Sequence, residues 1–117
     1  MKLTLKGFVP SKKNLLRRSK NGGMYRKADV VCQIDWLTLQ AANQWIGKSV
    51  EYPVISMHFV CADYRRDLDN MGTTILDCLQ KAGVIVNDNL KHLRHLTLTG
   101  EKGHSERVEI EIEAATR

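Results

Sequence analysis

A chain of 117 residues, 43% of them hydrophobic, has the size of one domain and enough apolar side chains to bury a core without disulfides or metals. Its longest apolar runs fall well short of the roughly 18 residues that cross a bilayer, which excludes a membrane-spanning helix. The start, Met1-Lys2-Leu3-Thr4-Leu5, reads as no signal peptide, so a cytoplasmic location is expected. The net charge of +5 is unevenly spread: residues 1–28 hold nine Lys or Arg and no acid, whereas residues 29–117 hold nine against thirteen Asp or Glu. Such a basic arm on a mildly acidic body attracts polyanions by displacing the counterions condensed on phosphates.

In chain order, residues 2–8 alternate polar and apolar, as a half-buried strand does. Pro10 ends that strand, and residues from about 10 to 26 read as a basic loop containing Lys12, Lys13, Arg17, Arg18, Lys20 and the turn Asn21-Gly22-Gly23. Val30, Ile34, Leu37, Ala41 and Trp45 draw one face of a helix over about 27–46, with Gly47 as its stop. Trp36 and Trp45 on that helix suit core or dimer packing better than base stacking. The run Val54 to Cys61 predicts a strand covered on both faces. A second helix is expected from about Asp69 to Ala82, with the stripe Met71, Ile75, Leu79, Ala82 and the cap Gly83. Val84-Ile85-Val86 reads as a short strand and Asn87-Asp88-Asn89 as a turn. Leu96 and Leu98, then Val108, Ile110 and Ile112, alternate with polar residues and predict a hairpin across Gly100 to Gly103. The expected fold is thus α+β, one domain over 1–117, with a mixed sheet and two helices in the order β-α-β-α-β-β-β.

Three cysteines, Cys32, Cys61 and Cys78, are odd in number and widely spaced, which speaks against a disulfide framework or zinc cluster and for buried reduced thiols. His92 and His95 have H-x-x-H spacing, but in a strand they would point to opposite faces and make a poor zinc site. The residues that suit chemistry are Asp67 and Asp69. Two carboxylates two residues apart, where a strand hands over to a helix, repel one another unless a divalent cation relieves the repulsion. Helix capping accounts for both acids without a metal. Asp88 follows a second strand; if the two strands are sheet neighbours it lies beside Asp67 and Asp69, and three acids at strand ends in a basic chain are the arrangement that phosphodiester hydrolysis uses. Otherwise it is an ordinary turn aspartate.

The run Asp67-Leu68-Asp69-Asn70, then Ile75-Leu76-Asp77-Cys78-Leu79, then Lys81-Ala82-Gly83-Val84-Ile85-Val86-Asn87-Asp88, resembles the signature of the RusA-type Holliday junction resolvases. Pro10-Ser11-Lys12-Lys13-Asn14 is similar to the P-S-K-N segment of that family, and Arg107 to Glu113 to its closing strand, so the likeness spans nearly the whole chain. The resemblance implies a homodimeric endonuclease that uses Mg2+, with Mn2+ as an alternative, on four-way junctions and other branched DNA. It assigns Asp67, Asp69 and Asp88 as catalytic, metal-binding carboxylates, and the basic segment Lys12, Lys13, Asn14, Arg17, Arg18 and Lys20 is expected to hold DNA. Two positions depart from the pattern. Thr73 stands where the family commonly has a catalytic Lys one turn beyond D-x-D-N, and Asn87 where many members have a first Asp. A catalytically weak junction-binding protein of the same fold is therefore the alternative. A basic DNA- or RNA-binding module without catalysis is a third reading, which the three aligned acids argue against.

Overall fold

The computed structural model describes residues 1–10, 23–63 and 66–115. Four strands, β1 (Lys2–Lys6), β2 (Pro53–Cys61), β3 (His95–Lys102) and β4 (Arg107–Ala114), alternate with two helices, α1 (Gly23–Gln44) and α2 (Leu68–Lys81). The sheet order is β1-β4-β2-β3. β4 is antiparallel to both its neighbours, and β2 and β3 are parallel. A parallel pair needs a crossover, and α2 is that crossover.

Both helices lie on one face of the sheet. Leu3 and Leu5 of β1, Ile55, Met57 and Phe59 of β2, and Val108, Ile110 and Ile112 of β4 are buried against Ile34, Leu37 and Ala41 of α1 and Met71, Ile75 and Leu79 of α2. Those sheet residues are every second position of their strands, so the opposite face carries Lys2, Thr4, Ser56, His58, Glu109 and Glu111 and is open. The mixed α+β architecture expected from the sequence holds. β2, however, is covered on one face only, with Ser56 exposed and Val54 and His58 half-buried.

The predicted hairpin does not form. β3 pairs with β2 alone, and β4 inserts between β1 and β2. The reason lies in what each strand can bury. β4 offers three β-branched side chains on one face and takes a central place, whereas β3 offers only Leu96 and Leu98, both half-buried, before Gly100. The connection crosses the end of β2 at Gly103, whose N–H donates to the Cys61 carbonyl at 2.9 Å. A Cβ at Gly103 would meet Val60 Cγ1 at 2.5 Å, so the crossing needs a glycine.

Three boundaries also differ. α1 starts at Gly23, so the last four residues assigned to the basic loop are helical, and it ends at Gln44 rather than near Gly47. The predicted strand at 84–86 is reduced to a single bridge between Ile85 and Val50. Cys32 is exposed, unlike the buried Cys61 and Cys78, because it falls on the outer side of α1. Of the two tryptophans, Trp45 packs against the core, while Trp36 is 50% exposed.

Candidate active site

α2 begins beyond the end of β2 and runs back over β3. Its approach is close: a Cβ at Gly72 would come within 2.9 Å of Leu98, and one at Gly100 within 2.9 Å of Leu68. Two glycines facing two leucines therefore set the height of the helix above the sheet, and with it the position of the acids at the helix N-terminus.

Asp67 is the N-cap residue of α2, in extended conformation (φ −80°, ψ 123°), and its side chain makes no capping hydrogen bond. Its carboxylate instead accepts from Asn70 Nδ2 at 3.1 Å, and it is exposed. Asp69, in the first turn, is also exposed. Helix capping, the structural account of Asp67, thus does not describe it: the backbone turns without the carboxylate, which among the described residues bonds only to Asn70. Thr73 sits one turn further on, exposed, with its hydroxyl donating to the Asp69 carbonyl at 2.9 Å.

Two residues that the sequence pattern did not single out anchor this end. Arg66 donates from Nη2 to the Val9 carbonyl and lies over the Phe8 ring with its guanidinium carbon 4.1 Å from the centroid. Its Nη1 is buried without a hydrogen-bond partner among the described residues. Thr74, fully buried, donates to the Pro10 carbonyl at 2.7 Å. Phe8, Val9 and Pro10 are therefore pinned to the first turns of α2 immediately before the basic segment begins. The only signal in the sequence was an arginine beside the acids and a threonine on the apolar stripe; neither says which carbonyl it would grip. Beside the acids, Phe59, Cys61, Leu68, Met71 and Arg66 line a recess of about 200 Å³. Burial pushes the Cys61 thiol up, so it stays protonated there.

Asp88 is elsewhere. The Val50 N–H donates to the Val84 carbonyl at 2.8 Å, the Val86 N–H to the Val50 carbonyl at 3.0 Å, and the Arg94 N–H to the Pro53 carbonyl at 2.9 Å. Those bonds tie residues 84–94 to the start of β2, whereas Asp67 and Asp69 stand beyond its end. The 14 residues of α2 separate the two places by about 20 Å at 1.5 Å per residue. The expectation that neighbouring strands bring Asp88 beside Asp67 and Asp69 is thus not met within one chain. The strand after α2 collapses to a bridge at the opposite end of the sheet. Among the described residues, no three His, Cys, Asp or Glu side chains group closely enough to hold a metal ion. Asp88 itself is half-buried in a turn where the Asn87 side chain accepts from the Asn89 N–H at 3.0 Å. His92 faces the Glu51 carbonyl at 3.1 Å and His95 the Thr97 hydroxyl at 3.1 Å, so they do not share a ligand. Lys12, Lys13, Asn14, Arg17, Arg18 and Lys20 lie outside the described residues.

Fold and site together define a two-layer α+β protein with a pair of exposed carboxylates at a helix N-terminus. No protein-family model matches the chain. Over 105 residues it is 31% identical to a crossover junction endodeoxyribonuclease RusA of Aquifex aeolicus (strain VF5), covering 88% of this chain and 83% of that protein. The chain belongs to the RusA family. No helix among the described residues is long and apolar enough to cross a membrane.

Proposed function

We propose that the protein is a metal-dependent endodeoxyribonuclease that cuts four-way junctions and other branched DNA in the cytoplasm as a homodimer, during recombination and repair. The observation that carries this reading is the state of Asp67: in a chain of this family, the acid at the N-terminus of α2 is exposed, leaves its helix uncapped and stands beside a second exposed acid. Two such carboxylates suit Mg2+, or Mn2+ in its place, which takes a few carboxylate oxygens and fills its remaining positions with water and phosphate oxygens. Bound there, the ion would polarise the phosphate and supply hydroxide near neutral pH.

The roles of the chain's own residues follow. Asp67 and Asp69 hold the cation, and Asn70 orients Asp67. Arg66 and Thr74 fix Phe8 to Pro10, from which Lys12, Lys13, Asn14, Arg17, Arg18 and Lys20 leave to bind the DNA backbone. Asp88 completes the acid set from a second copy, since its own lies about 20 Å away. A twofold dimer also suits two symmetric cuts in a four-way junction. The second reading, a junction binder with weak catalysis, draws on Thr73, whose hydroxyl turns back onto the Asp69 carbonyl and puts no cation beside the acids. One experiment tests both. The wild type and the variants Asp67→Asn, Asp69→Asn and Asp88→Asn are incubated with a synthetic four-way junction and with linear duplex, with and without Mg2+. Mg2+-dependent junction cleavage that each substitution abolishes, with binding retained, is the expected result. Binding without cleavage by the wild type in Mg2+ or Mn2+ establishes the second reading.

A further inference from the structure

Phe8 is an apolar side chain held out in water beside the candidate site. The chain turns at Gly7, whose φ of 111° favours glycine, and Val9 and Pro10 behind Phe8 are buried. Burial of Val9, at 3% exposure, anchors the segment and leaves the Phe8 ring outside at 45%. The ring is nonetheless fixed. The Arg66 guanidinium carbon stands 4.1 Å from its centroid. Arg66 is itself held by the Val9 carbonyl, and Thr74 holds the Pro10 carbonyl. One face of the ring is therefore covered by a planar cation that cannot swing away, and its other face and rim are what remains exposed. Trp36 adds to the same corner: a Cβ on Gly7 would lie 3.7 Å from its indole Nε1, and the side chain is half exposed. Among the described Phe, Trp and Tyr residues, only these two are exposed.

The place of this corner says what the ring can meet. Arg66 directly precedes Asp67, so Phe8 stands within one arginine side chain of the acids. Pro10, two residues beyond Phe8, leads into the segment that carries Lys12 and Lys13. A DNA strand with a phosphate at Asp67 and Asp69 and its backbone along that segment passes the ring. What an aromatic face takes from DNA is a base with an open π face. In a linear duplex, neighbouring pairs cover both faces of every internal base. At a branch point the stack is interrupted, and a base there costs least to expose.

We infer that Phe8, extended by Trp36, is a stacking surface for a base at the branch point, next to the phosphate to be cut, and that this contact makes the protein prefer branched to linear DNA. The inference rests on the DNA-cutting reading above and adds the group that tells the two kinds of DNA apart. The acids and the basic segment meet phosphates, which carry the same charge in both. A ring already backed by Arg66 loses little freedom when a base settles on it, so most of the stacking shows as affinity.

The test uses the full chain in EDTA, where DNA is bound without metal. Affinities for a synthetic four-way junction and for a linear duplex of the same arm sequences are measured by fluorescence anisotropy. Phe8→Leu keeps an apolar side chain and removes the π face. It should weaken junction binding about tenfold, within the range of one base–aromatic stack, and leave duplex binding as it was. Trp36→Leu should cost less, and Phe8→Trp should keep the junction preference. A second readout is optical. In the double variant Phe8→Trp, Trp36→Phe, the indole at the corner should be quenched by the junction and not by the duplex. A wild type without junction preference overturns the inference. So does a Phe8→Leu variant that binds both DNAs as the wild type does or loses both equally, and so does an indole that the junction leaves unquenched. Mg2+-dependent cleavage by the wild type is read separately. Cleavage with a junction preference that ignores Phe8 removes the stacking surface and keeps the nuclease. A preference that Phe8→Leu abolishes, in a protein that cuts nothing, keeps the surface and removes the nuclease.

Discussion

At its N-terminal end α2 presents two exposed carboxylates on a stiff base: close glycine-to-leucine packing holds the helix on β3, and Arg66 and Thr74 clamp Phe8 to Pro10 beside it. At its C-terminal end the chain leaves through Gly83 (φ 80°), touches β2 by one bridge, and carries Asp88 in a turn beside two exposed aliphatic side chains. One end presents two exposed acids with no third close by among the described residues; the other presents a single acid in a turn. The difference teaches that a helix about 20 Å long keeps the two sets of acids apart within one chain, so that on the proposed reading neither end is a site by itself.

The sharpest way to break that comparison is to inactivate the two ends in different subunits. Asp67→Asn and Asp88→Asn chains should each lose junction cleavage completely when alone. Mixed and refolded together, they should regain it, as nicks rather than paired cuts, because each mixed dimer keeps one intact pairing of ends. A dead mixture in which mixed dimers are demonstrated by mass would show that the ends act within one chain or that Asp88 has no part in the site.

Thr73→Lys comes next in size. It adds a cation to the N-terminal end, where negative charge grows in the transition state, and a group of that kind is worth up to roughly a hundred- to a thousand-fold in rate. Single-turnover cleavage of a four-way junction should rise with little change in affinity. A flat rate would show that the hydroxyl bonded to the Asp69 carbonyl is no defect.

Smaller effects are expected from what leads away from the acids. Replacing Lys12, Lys13, Arg17, Arg18 and Lys20 with Gln should weaken binding to every DNA structure. The salt slope should fall by up to about 0.9 for each phosphate the segment no longer neutralises. An unaltered slope in a filter-binding titration would put the segment off the DNA path. Last, Thr74→Val leaves the buried Pro10 carbonyl without its donor and should cost about 1–3 kcal/mol in a urea unfolding titration. Wild-type stability there would mean that Thr74 does not carry the clamp.

Much of this protein was legible locally. Alternation of Val108, Ile110 and Ile112 with glutamates needs one buried and one solvated face, so β4 could be read from period alone. The stripe Met71, Ile75, Leu79 with Gly83 behind it likewise dictates α2, since a 3.6-residue repeat and a positive-φ stop leave no other regular structure. The acids could be named for the same reason: carboxylates at a strand-to-helix junction are a local pattern. What joins to what is not local. β3 and β4 are adjacent in sequence and alternate alike, yet β4 takes the centre because it buries more, a competition among strands that only the assembled sheet decides. The grip of Arg66 and Thr74 on carbonyls more than fifty residues away has no local signature either. The sequence determined which residues are acids at element ends; tertiary structure alone decided that α2 lies between them, because the direction of a crossover helix over its sheet sets which ends meet.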